Sequence, residues 1–310
     1  MSTASTALRS RAWVEVNLAA LRANLREVQA AIGPGKALLP MVKADAYGLG
    51  MARVVEAVLT ELGPAGPWGF GVAAVAEGER LRQIGWGGRI LVLSPALPDE
   101  FRRAAHANLT LSFSGMDGVR AWAAAADEIG TRLPFHTEVD TGMGRAGFPC
   151  EEAGAWSPRV AEAAGGGLFW EGCFTHFHSA DELDLAPTDA QWERFRAALS
   201  SFPPRREGDP PLLIHAANSA ASLRRGGFRC DLARPGIFLY GGAAGPGSRP
   251  QPVVAVRARL SQVREVPSGA TLGYGATYAT SAAEIWGTAA IGYGDGLRRS
   301  LVPSGGGAIV

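Results

Sequence analysis

The chain predicts an α/β protein: a (β/α)8 TIM-like barrel followed by a partial, mainly β C-terminal domain. Three observations carry that prediction. Short apolar runs alternate with helical patterns over most of the 310 residues. A Gly/Pro/Ser-rich stretch then interrupts them. Beyond it the pattern changes to apolar–polar alternation with no helix between the runs.

An amphipathic helix over about 18–32 precedes the first run. The strand candidates are 37–44, 70–75, 89–94, 109–114, 134–140, 170–177, 211–216 and 232–240. Helix-like segments lie between them, such as 51–62, 76–84, 98–107, 115–129, 151–164 and 187–199. Strands alternating with helices pair in parallel through right-handed crossovers, and eight such units match a barrel. A doubly wound sheet is the alternative, but no Gly-rich phosphate loop follows the first strand. The stretch 241–250 reads as a linker. Segments 253–266 and 285–291 alternate as strands do. The expected domains are a barrel over 12–243 and a partial β domain over 252–310, with 1–11 as a tail or an added strand. Residues 305–310 read as the start of another strand. Two or three strands are marginal alone, so the expectation is a fragment, or a β domain completed by another chain.

Composition excludes several classes of function. A net charge of +1 gives nucleic acid or an acidic membrane no electrostatic support. No run is long enough to span a bilayer, and 1–11 lacks the apolar centre of a signal peptide. Cys150, Cys173 and Cys230 are odd in number and widely spaced. They form no metal, redox or disulfide pattern, which fits a reducing, cytoplasmic setting.

Of the 30 basic residues only Lys36 and Lys43 are lysines. Arginine serves for surface charge but cannot form an imine with an aldehyde, because its guanidinium stays protonated. A lysine retained in Met-Val-Lys43-Ala-Asp-Ala-Tyr47-Gly therefore points to amine chemistry. The plain alternative is a chance survivor whose head snorkels to solvent.

The other unusual residues also fall at the C-terminal ends of strands, where a barrel of this kind carries its chemistry. Arg145 follows strand five, His176 ends strand six, and His215-Ala-Ala-Asn218-Ser219 ends strand seven. Arg234-Pro-Gly236-Ile237 lies in strand eight. Asn218, Ser219 and the N–H groups of Gly236 and Ile237 have the chemistry to cradle a phosphate. Asn-Ser is equally the sequence of a helix N-cap. Arg234 could serve only a structural ion pair, and His176 could be a satisfied core histidine. His176-Phe-His178 has metal-ligand spacing, but no suitably placed lysine or aspartate completes such a site, and no metal is expected.

Together the segments Lys43-Ala-Asp-Ala-Tyr-Gly, Asp140-Thr-Gly-Met-Gly-Arg, Thr175-His-Phe, His215-Ala-Ala-Asn-Ser, Arg234-Pro-Gly-Ile, Gly273-Tyr274-Gly-Ala-Thr-Tyr and Ile291-Gly-Tyr293-Gly-Asp-Gly resemble the alanine racemase family, in its order and spacing from residue 12 to 300. The resemblance implies pyridoxal 5′-phosphate as cofactor and L- and D-alanine as substrates. It also implies a head-to-tail homodimer that supplies D-alanine for peptidoglycan. Lys43 would hold the cofactor and act as base for the D-enantiomer. Tyr274, from the partner subunit, would act for the L-enantiomer, with a relay through His176 to Arg234 at the pyridine nitrogen. Tyr47, His176, His215, Asn218, Ser219, Arg234, Gly236 and Ile237 would bind the cofactor, and Arg145 and Tyr293 the substrate. Glu138 stands where many members carry a carbamylated lysine and would orient Arg145. Leu49 and Gly294 depart from the family pattern. The later Cys-Met-Asp segment and the C-terminal tyrosine are absent from these residues. A racemase of broader specificity, a decarboxylase of the same fold, and a truncated, non-catalytic cofactor-binding protein are the alternatives.

Overall fold

Eight short parallel strands form a ring in the computed structural model, which describes residues 10–164, 166–224, 226–298 and 300. Six of them, Gly69–Val72, Arg89–Val92, Thr110–Phe113, Leu133–Asp140, Leu168–Phe174 and Leu213–His215, pair in sequence order. Leu232–Ala233 pairs in parallel with Ala37–Leu38. The seams on either side are closed by main-chain bonds. Asp231 N–H reaches the Ile214 carbonyl at 2.9 Å, and Gly71 N–H reaches that of Pro40 at 3.0 Å. This is the (β/α)8 barrel expected from the alternating pattern.

The strands are apolar because both of their faces are covered. Gly69–Val72 and Thr110–Phe113 are buried at every position. Leu39, Leu91 and Leu232 meet in the barrel interior, while Phe101, Phe113 and Trp122 pack edge-on beneath the outer helices. Helix Leu18–Ile32 buries Leu21, Leu25, Val28 and Ile32 at helical spacing. The Asn17 side chain accepts from Ala20 N–H at its start, and Gly33 ends it at φ 81°.

Contact within the chain divides it into two units, Asn17–Val253 and the described residues outside that span. The stretch 241–250, expected to be a linker, is bound into the first unit. The Asn24 carboxamide accepts from Gln251 N–H at 2.7 Å and donates to its carbonyl at 3.0 Å. In the second unit Ala12–Val16, expected to open the barrel, is a strand antiparallel to Val254–Ala258. Leu260–Val266 pairs with Glu284–Ala289, and Thr271–Leu272 with Tyr278–Ala279. The expected tail at 1–9 and the expected strand at 305–310 lie outside the described residues.

Two strand ends differ most from expectation. The first strand does not run to residue 44: Lys43–Tyr47 is a helical turn. The eighth does not run to Tyr240: Ile237–Tyr240 is a 3₁₀ turn. In both places the apolar run reports burial, and the backbone has already left the ladder.

Candidate active site

A cavity of about 420 Å³ is lined by residues that follow the barrel strands, among them Lys43, Tyr47, Arg145, His176, Arg234 and Gly236. Asn218, Ser219 and Ile237 also line it. Segments that follow five different barrel strands thus converge on one space.

Lys43 opens an unusual turn. Ala44, Asp45, Ala46 and Tyr47 have φ between 51° and 58°, a left-handed helical turn built without glycine. Each such residue costs roughly 1–2 kcal/mol, so the surroundings must hold it. Ala46 N–H bonds to the Val42 carbonyl and Gly48 N–H to that of Ala44. The Asp45 carboxylate accepts from Met51 N–H at 2.9 Å. Tyr47 stacks on Tyr240 at 4.4 Å between ring centroids, and Tyr240 donates to the Met41 carbonyl at 2.7 Å. Burial pushes both phenols up.

Arg234 is 3% exposed. Its guanidinium donates to the carbonyls of Thr175 and Ala216 and to His215 Nδ1 at 2.7 Å, and lies 3.4 Å from His176 Nδ1. Burial lowers its pKa to about 10, which leaves it a cation at neutral pH. Because a guanidinium can only donate, His215 Nδ1 must accept. His215 Nε2 then carries the proton and donates to His136 Nδ1 at 2.8 Å. His136 Nε2 in turn faces the Glu171 carboxylate at 3.4 Å, and Glu171 pairs with Arg89 at 3.3 Å. One donor direction runs through the whole chain of residues. Burial alone pushes Glu171 up, but the His136 bond and the nearby charges outweigh it and hold the carboxyl below its ordinary value. Gly172 makes room for the relay: a Cβ there would sit 2.4 Å from the His136 ring. His215 was expected to bind a cofactor. Both of its ring nitrogens are engaged, with Arg234 and His136, and it is not among the residues that line the cavity.

His176 is held neutral, at about 3, first by burial and then by the charges of Arg234, Arg145 and Lys43. Its relay contact to Arg234 is present at 3.4 Å. Asn218 caps the short helix Ser219–Arg224 by accepting from Ala221 N–H at 3.0 Å, so the capping alternative describes its carboxamide here. Ser219 Oγ accepts from the N–H groups of Gly236 and Phe238. A Cβ at Gly236 would sit 2.3 Å from the Tyr47 hydroxyl. Glycine thus keeps the cavity floor open beside the backbone N–H groups of the 236–238 segment, two of which Ser219 Oγ accepts. Lys43 supplies the single primary amine among the lining residues. This donor set fits a phosphorylated aldehyde: an amine for the carbonyl, N–H groups for the phosphate, and a buried cation for an aromatic nitrogen.

The loop after the fifth strand is shaped by Asp140, whose carboxylate accepts from Gly142 and Gly144 N–H. Gln191 ties that loop to the next, donating to Thr141 Oγ1 and to the His176 carbonyl. Glu138 is buried, and burial raises its pKa while the charge of Arg145 opposes the rise. Among the described residues no hydrogen bond or ion pair within 4.0 Å joins the two. His178 bonds to Ser179 Oγ at 2.5 Å. Among the described residues no group of three His, Cys, Asp or Glu converges as metal ligands would.

Sequence reasoning missed His136, Glu171 and Gln191. Their signal is spatial: His136 and His215 are 79 residues apart. Tyr274 and Tyr293 belong to the other unit and are 79% and 64% exposed. Tyr274 begins the 3₁₀ turn Tyr274–Ala276 between the short strands Thr271–Leu272 and Tyr278–Ala279.

Two family models match the chain. "Alanine racemase, N-terminal domain" covers residues 16–244, and "Alanine racemase, C-terminal domain" covers 253–310. An alanine racemase of Citrifermentans bemidjiense is 39% identical over 301 residues, 94% of this chain and 77% of that protein. The solved structure of alanine racemase from D-cycloserine-producing Streptomyces lavendulae aligns with a TM-score of 0.85 at 31% identity, over 94% of this chain and 76% of that one. The alanine racemase of Bartonella henselae, solved with covalently bound pyridoxal phosphate, shares the fold with a TM-score of 0.81 at 24% identity, over 94% of this chain and 78% of that one.

Proposed function

The chain belongs to the alanine racemase family, and from that premise we infer that it is an isomerase interconverting L- and D-alanine with pyridoxal 5′-phosphate. One observation supports this most: a primary amine, Lys43, and a buried permanent cation, Arg234, line the same cavity. The bound cofactor withdraws electrons and so makes the Cα–H of an amino acid joined to it acidic.

The chain's own residues do the rest. Lys43 binds the aldehyde and moves a proton at Cα on one face. Tyr274, donated by a second copy of the chain, moves a proton on the opposite face. Inversion needs removal on one face and return on the other, so two opposed bases are the natural solution. Arg234 would donate to the pyridine nitrogen of the bound cofactor without surrendering its proton. That limits electron withdrawal and suppresses other reactions. His176, neutral and beside Arg234, links that arginine to Tyr274. His215 holds Arg234 from below. Tyr47, Ser219, Gly236 and Ile237 would hold the phosphate, and Asn218, which caps the helix that starts at Ser219, would keep that start in place. Arg145 and Tyr293 engage the substrate carboxylate, and Glu138 orients Arg145 electrostatically. The homodimer follows from the need for Tyr274 in a neighbouring cavity. The D-alanine serves peptidoglycan synthesis, and the free cysteines support a reducing, cytoplasmic setting.

The test is a visible spectrum of the purified protein with pyridoxal phosphate, then borohydride reduction and mass mapping, then assay of D-alanine from L-alanine. The expected result is a reduced adduct on Lys43 and racemisation abolished in Lys43→Ala. An adduct without racemisation would support the non-catalytic alternative. No adduct would overturn the cofactor assignment.

A further inference from the structure

We propose that Glu77 is a positioning residue for Lys43: its carboxylate clamps the left-handed turn that presents the lysine to the helix that follows the second barrel strand. The proposal rests on reading Lys43 as the amine that carries the cofactor. Glu77 lies in the first turn of helix Val75–Gln83. One oxygen accepts from Ala44 N–H at 2.6 Å, the residue next to Lys43. The other accepts from Ala73 N–H at 2.7 Å and Ala74 N–H at 3.2 Å, at the helix's own start.

The turn needs such a partner. Its internal bonds use the N–H groups of Ala46, Gly48, Leu49 and Gly50. Ala44 N–H points outward, and Glu77 receives it. Ala44 is also where the chain enters the left-handed region, at φ 52° and ψ 49°. A carboxylate on that N–H stabilises the conformation an L-residue disfavours. Both oxygens are used, in opposite directions. Glutamine offers only one acceptor and would set its NH₂ against a backbone N–H. Aspartate is shorter by one methylene and does not span both groups.

Three proteins test this: Glu77→Gln, Glu77→Ala, and Glu77→Ala combined with Ala44→Gly. The readouts are pyridoxal phosphate affinity by absorbance with borohydride capture at Lys43, hydrogen exchange over residues 43–50, and melting temperature. Both single variants should bind the cofactor about tenfold more weakly, the fold-change expected from one charge-assisted hydrogen bond. Exchange over 43–50 should quicken in step. Ala44→Gly should then restore several-fold of the lost affinity, because glycine enters the left-handed region freely. Melting temperature reports the helix cap separately and should stay low in the rescued protein. Unchanged affinity in both single variants would overturn the proposal. So would a loss that tracks melting temperature alone and that Ala44→Gly does not relieve. If the unaltered protein yields no adduct on Lys43, the reading of Lys43 falls and the clamp falls with it. A wild-type adduct with unaffected variants removes the clamp alone.

Discussion

Arg234 shows how one residue sets the character of the site. It is buried, hydrogen-bonded on several sides and over the Phe174 ring at 5.2 Å from its centroid. Its charge falls on His176, which stays neutral, and on His215, whose pKa burial and that charge push well below its ordinary value. In the proposed mechanism a cation that cannot give up its proton would keep the pyridine nitrogen of the bound cofactor from becoming a strong electron sink. Replacing it by an acid should reverse that. Arg234→Glu is expected to release more pyruvate per racemisation event, from cofactor transamination, measured with a coupled dehydrogenase. An unchanged ratio would remove this role. Arg145 and Glu138 contrast with it. Among the described residues no hydrogen bond or ion pair joins them, and Arg145 acts on the Glu138 carboxyl through its charge.

At the scale of elements, the relay from Arg234 through His215 and His136 to Glu171 ties three strands across the barrel interior. His136 lies on Leu133–Asp140, Glu171 on Leu168–Phe174 and His215 on Leu213–His215. Each N–H in it has an acceptor, and Glu171 is the terminal one. Glu171→Leu leaves His136 Nε2–H without a partner, which costs about 1–3 kcal/mol. Glu171→Gln keeps an acceptor and should cost less. Denaturant unfolding of the two variants measures the gap, and equal stabilities would contradict the relay. The eight barrel strands were legible because apolar runs covered on both faces stand out against amphipathic helices. Their ends were less so. Phe238, Leu239 and Tyr240 are buried, but in a 3₁₀ turn. Residues 44–47 turn left-handed before the first glycine, Gly48, with nothing in their types to announce it. Lys43 stood out because lysine is rare in this chain, and Arg234 because it precedes Pro-Gly in the eighth apolar run. Glu77 and Glu171 were not, since a glutamate on a helix or strand carries no mark of what it accepts from.

At the scale of the whole molecule, buried neutral histidines give the protein an acid limit. Burial, and then the charge of Arg234, holds His176 at about 3. Burial lowers His136 and His215 as well. The unfolded chain takes up protons on these imidazoles below about pH 6.5, and the folded chain does so only at lower pH. Their contribution to stability is therefore complete above about 6.5 and is lost as pH falls from there toward 3. Melting temperature should fall steadily between pH 6.5 and 4, and His176→Gln should lessen the slope. A flat profile would contradict the burial assigned to these rings. The division of labour between the two units is the larger claim: Lys43 sits in the barrel, and Tyr274 sits on a hairpin turn of the β unit. Alanine incubated in deuterium oxide with the purified holoenzyme tests it most directly, by following deuterium at Cα from each enantiomer. Tyr274→Phe should abolish exchange from L-alanine far more than exchange from D-alanine, because Lys43 serves the D-enantiomer. Equal loss from both enantiomers, or loss from neither, would contradict a two-base racemase built from Lys43 and Tyr274.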